Sequence, residues 1–365
     1  MTRIFAAAVL LVLAGLSQPA PGQPAAQPRE SRIVRLDAAV DAIVPAGVVI
    51  EKVAEGFEFT EGPVWSRDGA LLFSDSPANI IYRLDAGDRP SVFRQPAGFD
   101  GQPDRPGQHI GSNGLTLDRQ GRLIVAEHGN RRVSRIDANG DLTVLADRYE
   151  GKRFNSPNDV AVRSDGSIYF TDPPYGLPRQ DDDPAKELDY SGIFRIRDGR
   201  VELLSRELSR PNGIGFSPDE RFLYVANSEP DRRIWMRFPV QPDGTLGAGT
   251  VFVDATADEA RGIPDGLAVD ESGNLYATGP GGVWIISPDA RLLGRVEPPE
   301  TARQRRLGRR RQDLVHDGAP LHLPDSAQRD GAAALLLGGR YVLVKPFRSF
   351  LIVNVPSRPA ETLIQ

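Results

Sequence analysis

The chain has 365 residues, enough for one large domain or two ordinary ones. Its net charge of -5 excludes the basic face that nucleic-acid binding requires, and the absence of cysteine excludes disulfides, a thiolate nucleophile and zinc–sulfur sites. Hydrophobic residues make up 40%, enough for a substantial core, while 37 glycines and 31 prolines suit many turns between short strands.

The chain opens with the pattern of an export signal. Arg3 supplies a positive charge, Ile4 to Leu16 is an apolar run too short to span a membrane comfortably, and a small, Pro-rich stretch follows from Ser17 to Pro28. Residues 1–26 are therefore expected to be a signal peptide, with cleavage between Ala20 and Ala26, and residues 27–47 a linker. The mature protein is expected to be exported, periplasmic or extracellular, and off the membrane once the signal is cleaved; the alternative is an uncleaved anchor.

From Val48 onward one pattern recurs: a polar entry, an apolar strand, a tight turn and a second strand. Its copies are TEGPVWSRDGALLFSD around Glu61, GSNGLTLDRQGRLIVAE around Asn113, SPNDVAVRSDGSIYFTD around Asn158, RPNGIGFSPDERFLYVAN around Asn212 and IPDGLAVDESGNLYATG around Asp265. The period of roughly 45 to 55 residues is that of propeller blades. Leu115, Leu117, Leu123, Val125, Val133 and Ile136 follow β-type alternation, and DRQG, RSDG, SPDE and DESG supply the dihedrals of tight turns. No stretch from Val48 to Ser287 has a helical period, so the expected fold is an all-β, six-bladed β-propeller over residues 48–302.

A sixth copy is missing after Gly294. Residues 303–365 begin with RQRRLGRRRQDLVHDGAPLHLPDS, which lacks strand alternation and carries an abrupt basic run. One reading is a basic tail for an acidic partner. The preferred one is a reading-frame shift, because a permitted coding of these residues, read one base later, gives ANVAWGDDGKTLYMTARPSIYRI, a well-formed sixth repeat. On that reading the C-terminal tail is aberrant and the last blade disrupted.

Glu61, Asn113, Asn158, Asn212 and Asp265 share one register, just before the first strand of each repeat. In a propeller these positions converge on the central axis. Carboxylate and amide oxygens suit a hard divalent cation, calcium first, with magnesium, manganese or zinc as substitutes. The alternative is that the NG, ND and DG pairs are turn formers only; Glu61 does not fit that alternative, since Glu is a poor turn residue.

The strings FTEGPVW, SPNDV, RPNGIGFSPDE and PDGLAVD resemble signatures of the SMP-30/gluconolactonase/LRE-like family, over roughly Val48 to Glu300. That resemblance implies metal ligands at Glu61, Asn158, Asn212 and Asp265, and hydrolysis of sugar-acid lactones as the activity. The bound cation would polarise the lactone carbonyl and acidify a water. Asp265 is the first candidate to take the proton from that water, although an Asp on a dication is a weak base. His128, in AEHGNRR, is the second, by resemblance to the related paraoxonases; its alternative is a solvated turn residue. Asn113, outside the family's ligand set, is assigned to substrate or water. Asn227, Tyr175 and His109 are further substrate-contact candidates, with loop stabilisation as their alternative.

There is no Gly-rich phosphate loop and no GxSxG elbow, which disfavours covalent catalysis. The expected partner is thus a small lactone. The alternatives are a broader esterase or organophosphate hydrolase on the same site, or a non-catalytic propeller stabilised by calcium.

Overall fold

The computed structural model describes residues 31–87, 89–104, 106–297, 340–343 and 349–354. Five antiparallel sheets follow one another along the chain. Blade one consists of Thr60–Trp65, Leu71–Asp75, Ile80–Leu84 and Ser91–Arg94. Blade two runs from Ser112–Leu117 through Leu123–Glu127 and Arg132–Ile136 to Leu142–Ala146. Blade three uses Val160–Val162, Ile168–Asp172, Gly192–Arg197 and Arg200–Ser205. Blade four uses Pro211–Phe216, Phe222–Glu229, Arg232–Pro239 and Thr250–Asp254. Blade five uses Leu267–Val269, Leu275–Gly279, Gly282–Ile286 and Leu292–Glu297. Within each, sequential strands are neighbours, so every blade is a simple up-and-down meander.

The core lies between blades. Successive residues of a strand point to opposite faces. Accordingly Leu123 and Val125 join a cluster with Val64, Leu72 and Ile81 of blade one, whereas Ile124 and Ala126 join one with Val160, Ile168 and Phe170 of blade three. Because both faces are covered, the second strands of blades one to three are buried along their whole length. This explains why LLFSD, LIVAE and IYFTD are near-continuous apolar runs rather than alternating ones. Clusters around Leu223 and Val225, and around Trp235 and Trp284, repeat the arrangement between blades three, four and five.

The stretch expected to be a linker is part of the fold instead. Arg32–Arg35 pairs antiparallel with Leu292–Glu297 as a fifth strand of blade five, and Val40–Ile43 is a single helical turn. Val40 and Val44 are fully buried against Tyr276, Ile285 and Leu293. The segment escaped notice in the sequence because it is too short to display a period.

A sixth, three-stranded sheet pairs Val49–Glu55 with Ser349–Asn354, and that strand with Arg340–Leu343. The last part of the tail is therefore not foreign to the fold, as the sequence suggested, but pairs with the strand Val49–Glu55. Ile50 packs on the blade-five cluster, and Ala54 and Phe57 on the blade-one cluster with Phe73 and Tyr82. The expected signal peptide and the basic run from Arg303, with its frame-shift reading, lie outside the described residues.

Candidate active site

The first strand of every blade is its innermost, and the five register residues stand at its entry. A repeated device places them. At the end of the second strand an oxygen acceptor turns back and binds the backbone of the loop leading into the first. Asp75 accepts from Glu58 N and Phe59 N, both at 3.0 Å. Asp172 accepts from Asn155 N at 2.7 Å and Ser156 N at 2.8 Å. Asn227 accepts from Arg210 N at 3.0 Å. Each clasp fixes the loop two or three residues before Glu61, Asn158 and Asn212. Asp172 is fully buried, which pushes its carboxyl up to about 7 despite the two backbone N–H donors.

The blades are then tied to one another at this level. Ser74 Oγ donates to the Asn113 carbonyl at 2.9 Å, and Gly114 N to the Asn158 carbonyl at 2.7 Å. Thr171 Oγ1 donates to the Asn212 carbonyl at 2.8 Å, and Gly213 N to the Asp265 carbonyl at 3.0 Å. Four of the five register residues thus have their main chain held by the preceding blade, and all five share one mouth of the propeller.

Such close approach explains the glycines that follow them. A Cβ at Gly62 would lie 2.2 Å from the Asn113 carbonyl oxygen, and one at Gly213 2.4 Å from that of Asp265. Gly62 also has φ 51, and the first strands of blades one, two and four carry a register shift at this place. The EG and NG pairs are therefore bulges where inner strands crowd the axis, not reverse turns. Blade three has Asp159 instead of glycine. Its Oδ2 accepts from Ile214 N of blade four at 3.1 Å and its Oδ1 from Val160 N at 2.9 Å. Sequence reasoning missed Asp159; the departure from glycine in an otherwise regular position was its signal.

Glu61, Asn113, Asn158 and Asn212 are buried and Asp265 is half-buried. The two amides best defined in orientation turn their nitrogens into the protein. Asn212 Nδ2 donates to Ser228 Oγ at 3.0 Å, and that hydroxyl lies 2.5 Å from the Pro264 carbonyl. Asn158 Nδ2 lies 3.3 Å from His128 Nε2. Asn158 Oδ1 is buried and has no hydrogen-bond partner among the described residues. An unmatched buried carbonyl oxygen is costly, and a cation is one group that would satisfy it. Among the described residues no three His, Cys, Asp or Glu side chains gather as a metal cluster. A site here draws on amide oxygens as much as on carboxylates.

The remaining candidates separate. His128 is buried beside Asn158, under Gly176, rather than a solvated turn residue. Half-buried His109 stacks edge-on with Phe59, ring centroids 4.5 Å apart, beside the entry to blade one. Half-buried Tyr175 belongs to the loop that lies on His128, and the Arg210 guanidinium stands 5.7 Å from its ring centroid. Asn227 is a correction. It is fully buried, with Oδ1 on Arg210 N and Nδ2 donating to the Arg232 carbonyl at 2.9 Å, so it holds the loop and has no face for substrate.

The family model described as SMP-30/Gluconolactonase/LRE-like region matches residues 59–305. The chain is 40% identical over 275 residues to a gluconolactonase of Zymomonas mobilis, covering 73% of this chain and 77% of that one. It is 28% identical over 249 residues to pentonolactonase XacC of Haloferax volcanii, covering 66% and 73%. Among solved structures, a gluconolactonase of Xanthomonas campestris superposes with a TM-score of 0.67 at 27% identity, over 92% of this chain and 99% of that one. With the inner-strand register on an all-β propeller, these matches establish that the chain belongs to the SMP-30/gluconolactonase/LRE-like family.

Proposed function

We propose that this protein hydrolyses lactones of sugar acids at the axial mouth of the propeller. The observation that carries the reading is the convergent set of oxygens, with Asn158 Oδ1 buried and unmatched by the protein. The 40% identity to a gluconolactonase supports the substrate class.

Glu61, Asn158, Asn212 and Asp265 would hold a divalent cation, calcium first, since all four offer hard oxygen donors. When bound, such an ion supplies a Lewis acid that polarises the ester carbonyl and stabilises the oxyanion.

Asp265, half-buried at the register, accepts the proton of the attacking water. His128, held through Asn158, stands next in line for it. The water oxygen bonds to the carbonyl carbon, the ring C–O bond breaks, and the released alkoxide takes a proton. Asn113 hydrogen-bonds the substrate or the water, and His109 and Tyr175 border the cavity it enters.

Two further parts of the reading concern the whole chain. The propeller closes with six blades, the sheet built on Val49–Glu55 taking the sixth place; its packing on both blade five and blade one supports this. The protein is exported, as Arg3 and the apolar run Ile4 to Leu16 suggest.

Exchange of Asp265 for Asn tests the chemistry. The expected outcome is a fall in lactone turnover of about 10³-fold, with the circular dichroism and melting curve kept. Full activity in that variant would overturn the assignment of Asp265.

A further inference from the structure

In four blades the second and third strands are joined by a tight turn. In blade three the connection runs from Pro173 to Ser191, and its start packs against His128 and Ser156. Its first turn is seated directly on the candidate base. A Cβ at Gly176 would lie 2.7 Å from His128 Cβ and 2.8 Å from Ser156 Cβ, and Gly176 N donates to Ser156 Oγ at 2.8 Å. Tyr175 is therefore held beside His128 and Asn158. The returning arm is pinned to blade two's side, where Arg131 Nη1 donates to the Ala185 carbonyl and Arg153 N to Glu187 Oε2, both at 2.8 Å.

The outgoing arm rests on the Arg210 side chain of blade four. Arg210 Nη2 pairs with Asp181 at 2.5 Å and Nη1 donates to Gln180 Oε1 at 2.9 Å. The same guanidinium faces the Tyr175 ring, and Glu229 lies 3.9 Å from its Nε. Its backbone N–H is clasped by Asn227, two residues before Asn212. One residue thus links the register of blade four to the loop that covers blade three. Two carboxylates already compensate its charge, so its role is geometric rather than that of an anion receptor. A planar fork that stacks and donates at once is something lysine cannot copy.

We propose that Arg210 is a positioning residue that clamps the Tyr175 turn against His128, and so sets how closely a small cyclic ester is held against His128 and Asn158. This rests on the lactone reading above, and its test has a second readout that does not. The variants are Arg210→Ala, Arg210→Lys and Asp181→Asn, the last altering an exposed partner remote from the chemistry.

Hydrogen–deuterium exchange of the protein without substrate is expected to quicken in residues 173–183 of Arg210→Ala and stay unchanged in the other blades. With glucono-δ-lactone, KM in Arg210→Ala is expected to rise about 10-fold, equivalent to about 1.4 kcal/mol, while kcat changes by less than about 2-fold. Asp181→Asn and Arg210→Lys should move KM in the same direction by less, and the Arg210→Ala/Asp181→Asn double variant should be no worse than Arg210→Ala alone. Unaltered exchange in residues 173–183 overturns the clamp, and so does a fall in kcat with KM unchanged. If the unaltered protein turns over no lactone, the functional reading fails, while the exchange result still decides the clamp.

Discussion

The two ends of the inner strands are built from the same residue types and behave in opposite ways. At the far end, where first and second strands meet, aspartates close tight turns and are fully used by the protein. Asp118 Oδ1 accepts from Gln120 N and Arg122 N, both at 2.9 Å, and Asp270 Oδ1 accepts from Ser272 N at 2.9 Å and Asn274 N at 2.8 Å. The turns are also linked around the axis. Arg67 donates to the Arg119 carbonyl, Arg119 Nη1 to the Ser164 carbonyl at 2.6 Å, and Ser164 N to Glu220 Oε1 at 2.6 Å. At the axial mouth, by contrast, Asn158 keeps a buried oxygen that the protein does not match. Buried unmatched atoms also occur at the turn end, at Ser167 Oγ and Arg163 Nε, but the one at Asn158 is a carbonyl oxygen, the kind of atom a cation would bind.

The carboxylates show the same contrast. At the turn end the Ser217 hydroxyl and Arg221 hold Asp219 down to about 2, whereas burial raises Asp172 near the mouth to about 7. The largest effect that sharpens the comparison is the loss of turnover expected in Asp265→Asn. The next concerns Asp172. Its folded value lies above the ordinary aspartate value of 3.8, so the folded protein keeps a proton that the unfolded chain releases. The stability this contributes is complete below about pH 4, declines as pH rises towards about 7, and is level above that. Melting temperatures of Asp172→Asn between pH 4 and 7 should therefore fall less steeply than those of the unaltered protein; equal slopes would refute the burial argument. The smallest effect is at the turn end. Arg119→Ala removes an exposed hydrogen bond worth about 0.5 kcal/mol, and should lower the melting temperature slightly while leaving lactone kcat and KM alone. A loss of activity in that variant would erase the distinction between the two ends.

Much of this was legible in the sequence because a propeller writes its blade several times. The shared register of Glu61, Asn113, Asn158, Asn212 and Asp265 survived comparison between copies, and so did the turn residues at the other end. The EG and NG pairs were visible, but their reason was not, since crowding by the neighbouring inner strand is a contact between blades. Features occurring once were hidden for the same reason. The Arg210 clamp and the strand at Arg32–Arg35 repeat no pattern of the other copies, and Asp159 shows itself only as a departure from the glycine at the equivalent positions. Asn227 misled because an amide ending a strand near the mouth looks like a substrate contact until its two partners are known.

The most direct test of the central claim is pH-stat hydrolysis of glucono-δ-lactone by the unaltered protein, first with calcium and then with a chelator. Rapid turnover that is lost on chelation and restored by calcium is the expected result. A folded, calcium-binding protein without lactone turnover, or turnover indifferent to the chelator, would contradict it.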